Sequence, residues 1–296
     1  MKAEKMKSFR YDCSGKWFKG NTHIHSAVSD GRLDFKELAE LYSKAGYDFL
    51  FRTDHWASSD VNVDSEDYPL LWCDGVELDG RDSAGSSYHV VCLGHFDEFE
   101  REKGFDAALK KAEAQGAFLI LAHPFWMGNS LEDALRWPFN GVEIYNHVCR
   151  NLNGKGDGRI FWEHMLKQNI DIVGIAADDS HIDAHPGWNG GWIVVNVPEL
   201  SEKNILDALK SGNFYSSQGP EFIKIECDGG KVSFETSHVS AARLVGRGSW
   251  GLRNIAKDGS FIASGEFEIP EKWDIAFLEI EDFAGKRAWS NNLFMK

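Results

Sequence analysis

Two patterns of apolar residues alternate along the first two thirds of the chain. Short apolar runs predict strands: Tyr47-Asp48-Phe49-Leu50-Phe51, Ala117 to Leu121, Gly141 to Tyr145, Ile170 to Ala176 and Trp192 to Val197. Between them lie helical spacings. Leu38, Leu41, Tyr42 and Ala45 form one face, with Asp34 and Glu37 marking a capped start and Gly46 a stop. Phe105, Ala108, Leu109 and Ala112 form a second, closed by Gly116; Ile160, Phe161 and Met165 a third; Ile205, Leu206 and Leu209 a fourth. From about Gly20 to about Gly212 this succession predicts a mostly parallel sheet with covering helices, open or closed into a barrel. No internal repeat is visible.

After about Phe214 the pattern changes. Residues 222–226 alternate, Gly229-Gly230 turns the chain, and residues 231–235 alternate back, which is a hairpin signal. Ile275 to Ile280 predicts a further strand, and Gly285 a turn before Ala288-Trp289. The expected division is a first domain over residues 1–216 and a small antiparallel β domain over 217–296.

Composition narrows the function. The chain has 296 residues and a formal net charge of −14, with no stripe of Lys and Arg, which argues against long nucleic acid as a partner. Five scattered cysteines without a CxxC pair exclude a disulfide framework or zinc ribbon and suit a reducing cytosol. No apolar run suits a signal peptide or a membrane span. The expectation is a cytoplasmic protein, with self-association left open.

The chemistry sits in histidines and carboxylates at the ends of the predicted strands. His23 and His25 are spaced by two, Asp30 follows in Ser29-Asp30-Gly31, and the second strand ends in Thr53-Asp54-His55. Glu77 lies in Gly75-Val76-Glu77-Leu78, His89 opens an apolar run, His123 follows a strand, and Asp179 and His181 are again spaced by two. In parallel α/β sheets that edge gathers ligands and catalytic groups. Imidazole nitrogens with carboxylate oxygens suit zinc, manganese or iron, and the inventory exceeds what one ion can use. His147, His164, His185 and His238 read as ordinary structural residues, although His147, directly after a strand, could line a pocket.

In this order, Thr22-His23-Ile24-His25-Ser26, Thr53-Asp54-His55, Gly75-Val76-Glu77, Ala122-His123-Pro124 and Asp179-Ser180-His181 resemble the motifs of the PHP (polymerase and histidinol phosphatase) superfamily of metal-dependent phosphoesterases. The segment from Ala208 to Pro220 resembles the junction in members with a C-terminal β extension. The resemblance implies a distorted (β/α)7 barrel with two or three divalent ions (Zn, Mn or Fe) at one edge. It implies that His23, His25, Glu77 and Asp179 hold one ion, and that Glu77 bridges to a second ion held by His89 and His123. Asp30, His55 and His181 match the ligands of a third. His89 competes with His95, and Asp178 adjoins Asp179. Glu77, Asp179 and His181 would be the centre of catalysis.

The implied function is hydrolysis of a small phosphate ester by metal-activated hydroxide. Cleavage of a carboxylic ester, carbamate or amide at the same centre, and a non-catalytic metal-holding scaffold, are the alternatives. Arg52 either contacts phosphate, ahead of Arg81 and Arg150, or points outward to pair with a carboxylate, since strand alternation permits both; Asn146 and His147 are further candidates for substrate binding. Trp56, Trp126, Trp188 and Trp192 are candidate aromatic walls.

Overall fold

A computed structural model describes residues 8–57, 68–182, 187–228 and 230–295; His185 and Gly229, considered above, lie outside them. The strands are β1 (Ser8–Phe9), β2 (Lys16–Asn21), β3 (Phe49–Phe51), β4 (Leu71–Cys73), β5 (Gly75–Arg81), β6 (Ser87–Leu93), β7 (Phe118–Leu121), β8 (Gly141–Asn146), β9 (Val173–Ala177), β10 (Trp192–Val197) and β11 (Phe214–Ser217). The α-helices are α1 (Phe35–Lys44), α2 (Phe105–Ala114), α3 (Pro124–Met127), α4 (His147–Asn153), α5 (Arg159–Leu166) and α6 (Glu202–Ser211). Eight further strands follow: β12 (Phe222–Asp228), β13 (Lys231–Val239), β14 (Ala241–Gly246), β15 (Gly251–Ile255), β16 (Ile262–Glu268), β17 (Ala276–Glu281), β18 (Arg287–Ser290) and β19 (Phe294–Met295).

Local signals set several of these boundaries. Asp34 accepts from the Glu37 amide while the Glu37 side chain reaches back to the Asp34 amide, a complete capping box for α1. The helix buries Leu38, Ala39 and Tyr42, and Gly46, at φ 78°, turns the chain toward β3. Ser201 caps α6 by accepting from the Asn204 amide, and Gly212 ends it in a left-handed conformation.

The sheets are mixed, which corrects the expectation of a mostly parallel arrangement. Among the described residues, nine strands run in the order β15-β14-β17-β18-β11-β10-β2-β3-β4, and five in the order β5-β6-β7-β8-β9. Pairs β2–β3, β3–β4, β7–β8 and β8–β9 are parallel. Pairs β5–β6, β6–β7, β10–β2 and β10–β11 are antiparallel. The cause is plain for β5–β6. Only residues 82–86 join them, and Asp82 accepts the Ala84 and Ser86 amides to close a turn too short for a crossover helix.

The strand ladders do not close into one hydrogen-bonded ring. Isolated parallel bridges, His55 to Glu77 and Ile24 to Ser180, link the two sheets. Along β9, side chains take the place of a neighbouring strand: the Gly174 amide donates to Asn291 Oδ1 and the Ala176 amide to Ser216 Oγ, both at 2.9 Å. Both linking bridges carry or adjoin candidate site residues.

The tail is antiparallel, as expected, and includes a three-stranded sheet β12-β13-β16. It is also continuous with the first part, because β11 pairs with β18. The Trp162 and Phe277 rings lie 4.6 Å apart, and Ile275, Phe277 and Trp289 share a buried core with residues of β5 to β8. No described helix is long and apolar enough to cross a membrane.

Candidate metal centre

Two hydrogen-bonded corners position the first histidines. Beyond β2, the Ile24 amide donates to Thr53 Oγ1, and that hydroxyl donates to the Ile24 carbonyl. Asp54 then accepts from the Ser26 amide and the Ser26 and Ser29 hydroxyls. Both imidazoles are thereby fixed on one side, fully buried. The Asp179 amide donates to the His23 carbonyl at 2.8 Å, which brings the end of β9 against them. Asp179 itself sits at φ 56° and His123 at φ 27°, conformations that L residues avoid unless their surroundings impose them.

The side chains converge on a common point. His23 Nε2 and His25 Nε2 are 3.1 Å apart, and each lies 3.2 Å from Glu77 Oε2 and 3.2 Å from Asp179 Oδ1. A centre equidistant from the corners of a tetrahedron of that edge lies about 2 Å from each, the ordinary length of a bond from zinc to nitrogen or oxygen. Glu77 Oε2 is buried and has no hydrogen-bond donor. A carboxylate oxygen in that state needs a cation. The donor set therefore fits a divalent ion.

Further donors adjoin this cage. Glu77 Oε1 is 2.8 Å from His89 Nδ1 and 3.4 Å from His123 Nε2, while His123 Nε2 is 3.6 Å from Asp179 Oδ2. On the open side, Asp30 Oδ2 lies 3.2 Å from His181 Nε2 and 3.8 Å from His55 Nε2, and His55 Nε2 lies 3.4 Å from Glu77 Oε2. The structure thus gathers His23, His25, Asp30, His55, Glu77, His89, His123, Asp179 and His181 around one cavity edge. His89 joins them and His95 does not: His95 is exposed and 2.7 Å from Asp74. Asp178 faces away, accepting the amides of Asn189, Gly190 and Gly191 and bonds from Asn21 and Tyr42.

Proton affinities follow from this crowding. Burial alone would lower His25, but the close Asp179 and Glu77 carboxylates raise it to about 9. Burial likewise opposes protonation of His23, yet the charges of Asp179, Glu77 and Glu143 hold it well above its ordinary value. Burial works against ionisation of Glu77, while the surrounding His23, His123 and His25 keep it well below the usual carboxylate range. Free of metal, the cluster is a set of shared protons between buried bases and acids.

The three candidates for substrate binding are placed differently from the expectation. Arg52 is paired with Asp74 rather than brought to the cavity. Asn146 is fully buried and caps α4 by accepting the Cys149 amide, and its Nδ2 donates to Glu143 and Asp179. His147 is bonded to the Tyr145 hydroxyl at 2.9 Å and packs where a Cβ on Gly190 would collide with its ring. Of the tryptophans, Trp126 reaches the cavity. Trp56 donates to Asp79, Trp188 packs on Tyr42, and Trp192 packs near Tyr47.

Two carboxylates escaped the sequence reading. Glu143 Oε1 is 2.7 Å from His23 Nδ1, and its Oε2 accepts the His123 amide at 2.8 Å. Asp79 Oδ1 lies 3.1 Å from His55 Nδ1. Glu143 supports His23 from behind, orienting its other ring nitrogen toward the cage, while Asp79 lies beside His55 without a hydrogen bond to its Nδ1. The available signal was the alternation of a strand: Glu143 on Gly141 to Asn146 and Asp79 two residues from Glu77.

No family model and no curated protein matches the sequence. Solved structures do match the fold. A two-domain protein of Bacteroides vulgatus, described as containing a predicted PHP-like metal-dependent phosphoesterase, aligns at a TM-score of 0.53 and 15% identity, over 95% of this chain and 96% of its own. A metal-dependent phosphoesterase candidate of Bifidobacterium adolescentis aligns at 0.43 and 12% identity, over 65% of this chain and 96% of its own. Endonuclease Q, bound to a 27-mer duplex with an abasic lesion, aligns at 0.45 and 14% identity, over 66% of this chain and 57% of its own. The chain shares the fold of that Bacteroides protein over nearly the full length of both, and the aligned part of this chain includes its C-terminal β unit.

Proposed function

We propose that this chain is a metal-dependent hydrolase of the PHP type, and that its reaction is cleavage of a small phosphate ester at a centre of two or three divalent ions. The observation that supports it most is the cage of His23, His25, Glu77 and Asp179, with an orphaned Glu77 oxygen and five more donors alongside. Bound there, divalent ions would supply a nucleophilic water of lowered pKa and charge to match a phosphoryl group. Glu77 offers one oxygen to the cage and the other to His89 and His123, so it is the bridging group. Asp179 completes the cage and receives a bond from Asn146. His181 donates from Nδ1 to the Asp179 carbonyl, which leaves Nε2 facing Asp30 for coordination or for a proton. The division into residues 1–216 and 217–296 goes with this reading: the donors all precede the boundary.

A second reading has its own support. No Lys or Arg lines the cavity among the described residues, so a carboxylic ester or amide, which carries less charge than a phosphate, also suits it. The same lack of cations disfavours long nucleic acid, although the fold itself gives no ground for excluding it. Elemental analysis of the purified protein followed by a hydrolysis screen, with and without added Mn²⁺, separates these readings. Two or three ions per chain and turnover of phosphate esters are expected. One ion or fewer in fully loaded protein would overturn the multinuclear centre, and turnover of carboxylic esters or amides alone would select the second reading.

A further inference from the structure

The cavity above the metal donors encloses about 740 Å³, and its wall away from the donors is apolar. Helix α3 contributes Trp126, and α4 contributes Val148, Cys149 and Leu152. Trp126 is 37% exposed and Leu152 57% exposed, large apolar side chains left open to solvent at the rim. Scattered singly such residues carry no meaning, but here they face one cavity. The Trp126 ring centroid lies 5.2 Å from that of His123 and 6.1 Å from that of His89, edge to face in both cases. It is therefore within one substrate's length of the donors.

Charge points the same way. Asp30 is the exposed charged group at the rim, and Asn151, the polar residue that α4 contributes to the lining, is engaged with His147 Nε2 at 3.2 Å, while Arg150 of the same helix does not line the cavity. A substrate with several phosphates, or a polynucleotide, needs cations beyond those at the reacting group. This wall offers none.

We infer that the substrate carries a single reacting ester bearing an uncharged aromatic or otherwise apolar group, which packs between Trp126 and Leu152 while the ester reaches the metal donors. This rests on the reading of the centre as metal-dependent, and it specifies the part of the substrate that does not react. Aromatic stacking and apolar burial against such a wall discriminate between ligands by about tenfold or more.

The test uses the full chain loaded with Mn²⁺ and two non-hydrolysable probes, 2-naphthylphosphonate and methylphosphonate, with affinities measured by calorimetry. The parallel assay compares hydrolysis of 2-naphthyl phosphate and glycerol phosphate. Wild-type protein should bind the naphthyl probe at least about tenfold more tightly than the methyl probe, and Trp126→Ala and Leu152→Ser should each reduce that ratio several-fold. Both side chains are exposed, and metal content of the variants checks that the centre is intact. Equal affinity for the two probes in wild-type protein, or an unchanged ratio in both variants with metal retained, overturns the inference. A preserved preference with no phosphate hydrolysis supports it, and shows separately that the phosphoesterase reading has failed.

Discussion

Glu143 is the residue on which the first prediction turns. A histidine that coordinates through Nε2 must keep its proton on Nδ1, and the only group at His23 Nδ1 among those described is Glu143 Oε1 at 2.7 Å. Glu143→Gln keeps the shape but weakens that hold, so metal affinity should fall about 10- to 100-fold in a chelator competition. Loss of less than twofold would remove Glu143 from the metal centre. Protons give the second prediction. With folded-state values raised above the ordinary 6.5, to about 9 for His25 and well above it for His23, both are protonated at pH 8 without metal. Each must release its proton to coordinate. Calorimetric loading of stripped protein at pH 8, in buffers of different ionisation enthalpy, should report at least one proton released per chain; none released contradicts it. The sign for stability follows: the contribution of the raised His25 to the metal-free fold is complete below about pH 6.5 and is lost as pH rises through about 9, and His23 acts in the same direction.

Elements explain which of these features were legible from sequence. Strand-end histidines and carboxylates stood out because apolar runs led directly into them, as at Phe118–Leu121 before His123 and Val173–Ala177 before Asp179. Helix α1 was legible from its capping residues, and strand Trp192–Val197 from an apolar run interrupted only by Asn196. Strand β5 was hidden, since Gly75 and Gly80 near its two ends are turn signals and Glu77, Asp79 and Arg81 fill one face with charge, leaving Val76 and Leu78 as its short apolar face. Its antiparallel partner β6 was seen as a run without an orientation, and only pairing shows that His89 lies opposite Asp79. Glu143 was not singled out, because pairing distant in sequence decides which face of its strand is covered. Among the described residues the tail strands carry no donor cluster, and His238 on β13 stacks on Phe261 with ring centroids 3.6 Å apart. His238→Ala should therefore keep wild-type metal content, while His123→Ala should lose most of at least one ion. Metal loss in folded His238→Ala protein would bring the tail into the centre.

At the scale of the whole molecule, the two ends of the described chain are bound to each other. β1 pairs with β19, and the buried Arg10 donates to the carbonyls of Asn292, Phe294 and Ser211 and pairs with Asp171 at 2.9 Å. Removing one member of a buried, fully bonded charge network costs about 3 to 5 kcal/mol. Arg10→Ala should lower stability by that order in urea unfolding, with under about 1 kcal/mol excluding the network as a fastener. The side chains that satisfy β9, Ser216 and Asn291, bear on the order of events during synthesis. Every proposed donor has been synthesised once residue 181 is made. The strand that leads into Asp179 still waits for Asn291, more than a hundred residues later, before its backbone is fully paired. Partnerships so remote in sequence form late. Nascent chains stalled short of residue 290 should accordingly take up no metal where the finished chain loads fully, so that the cell adds the cation to a completed protein rather than to one in the making.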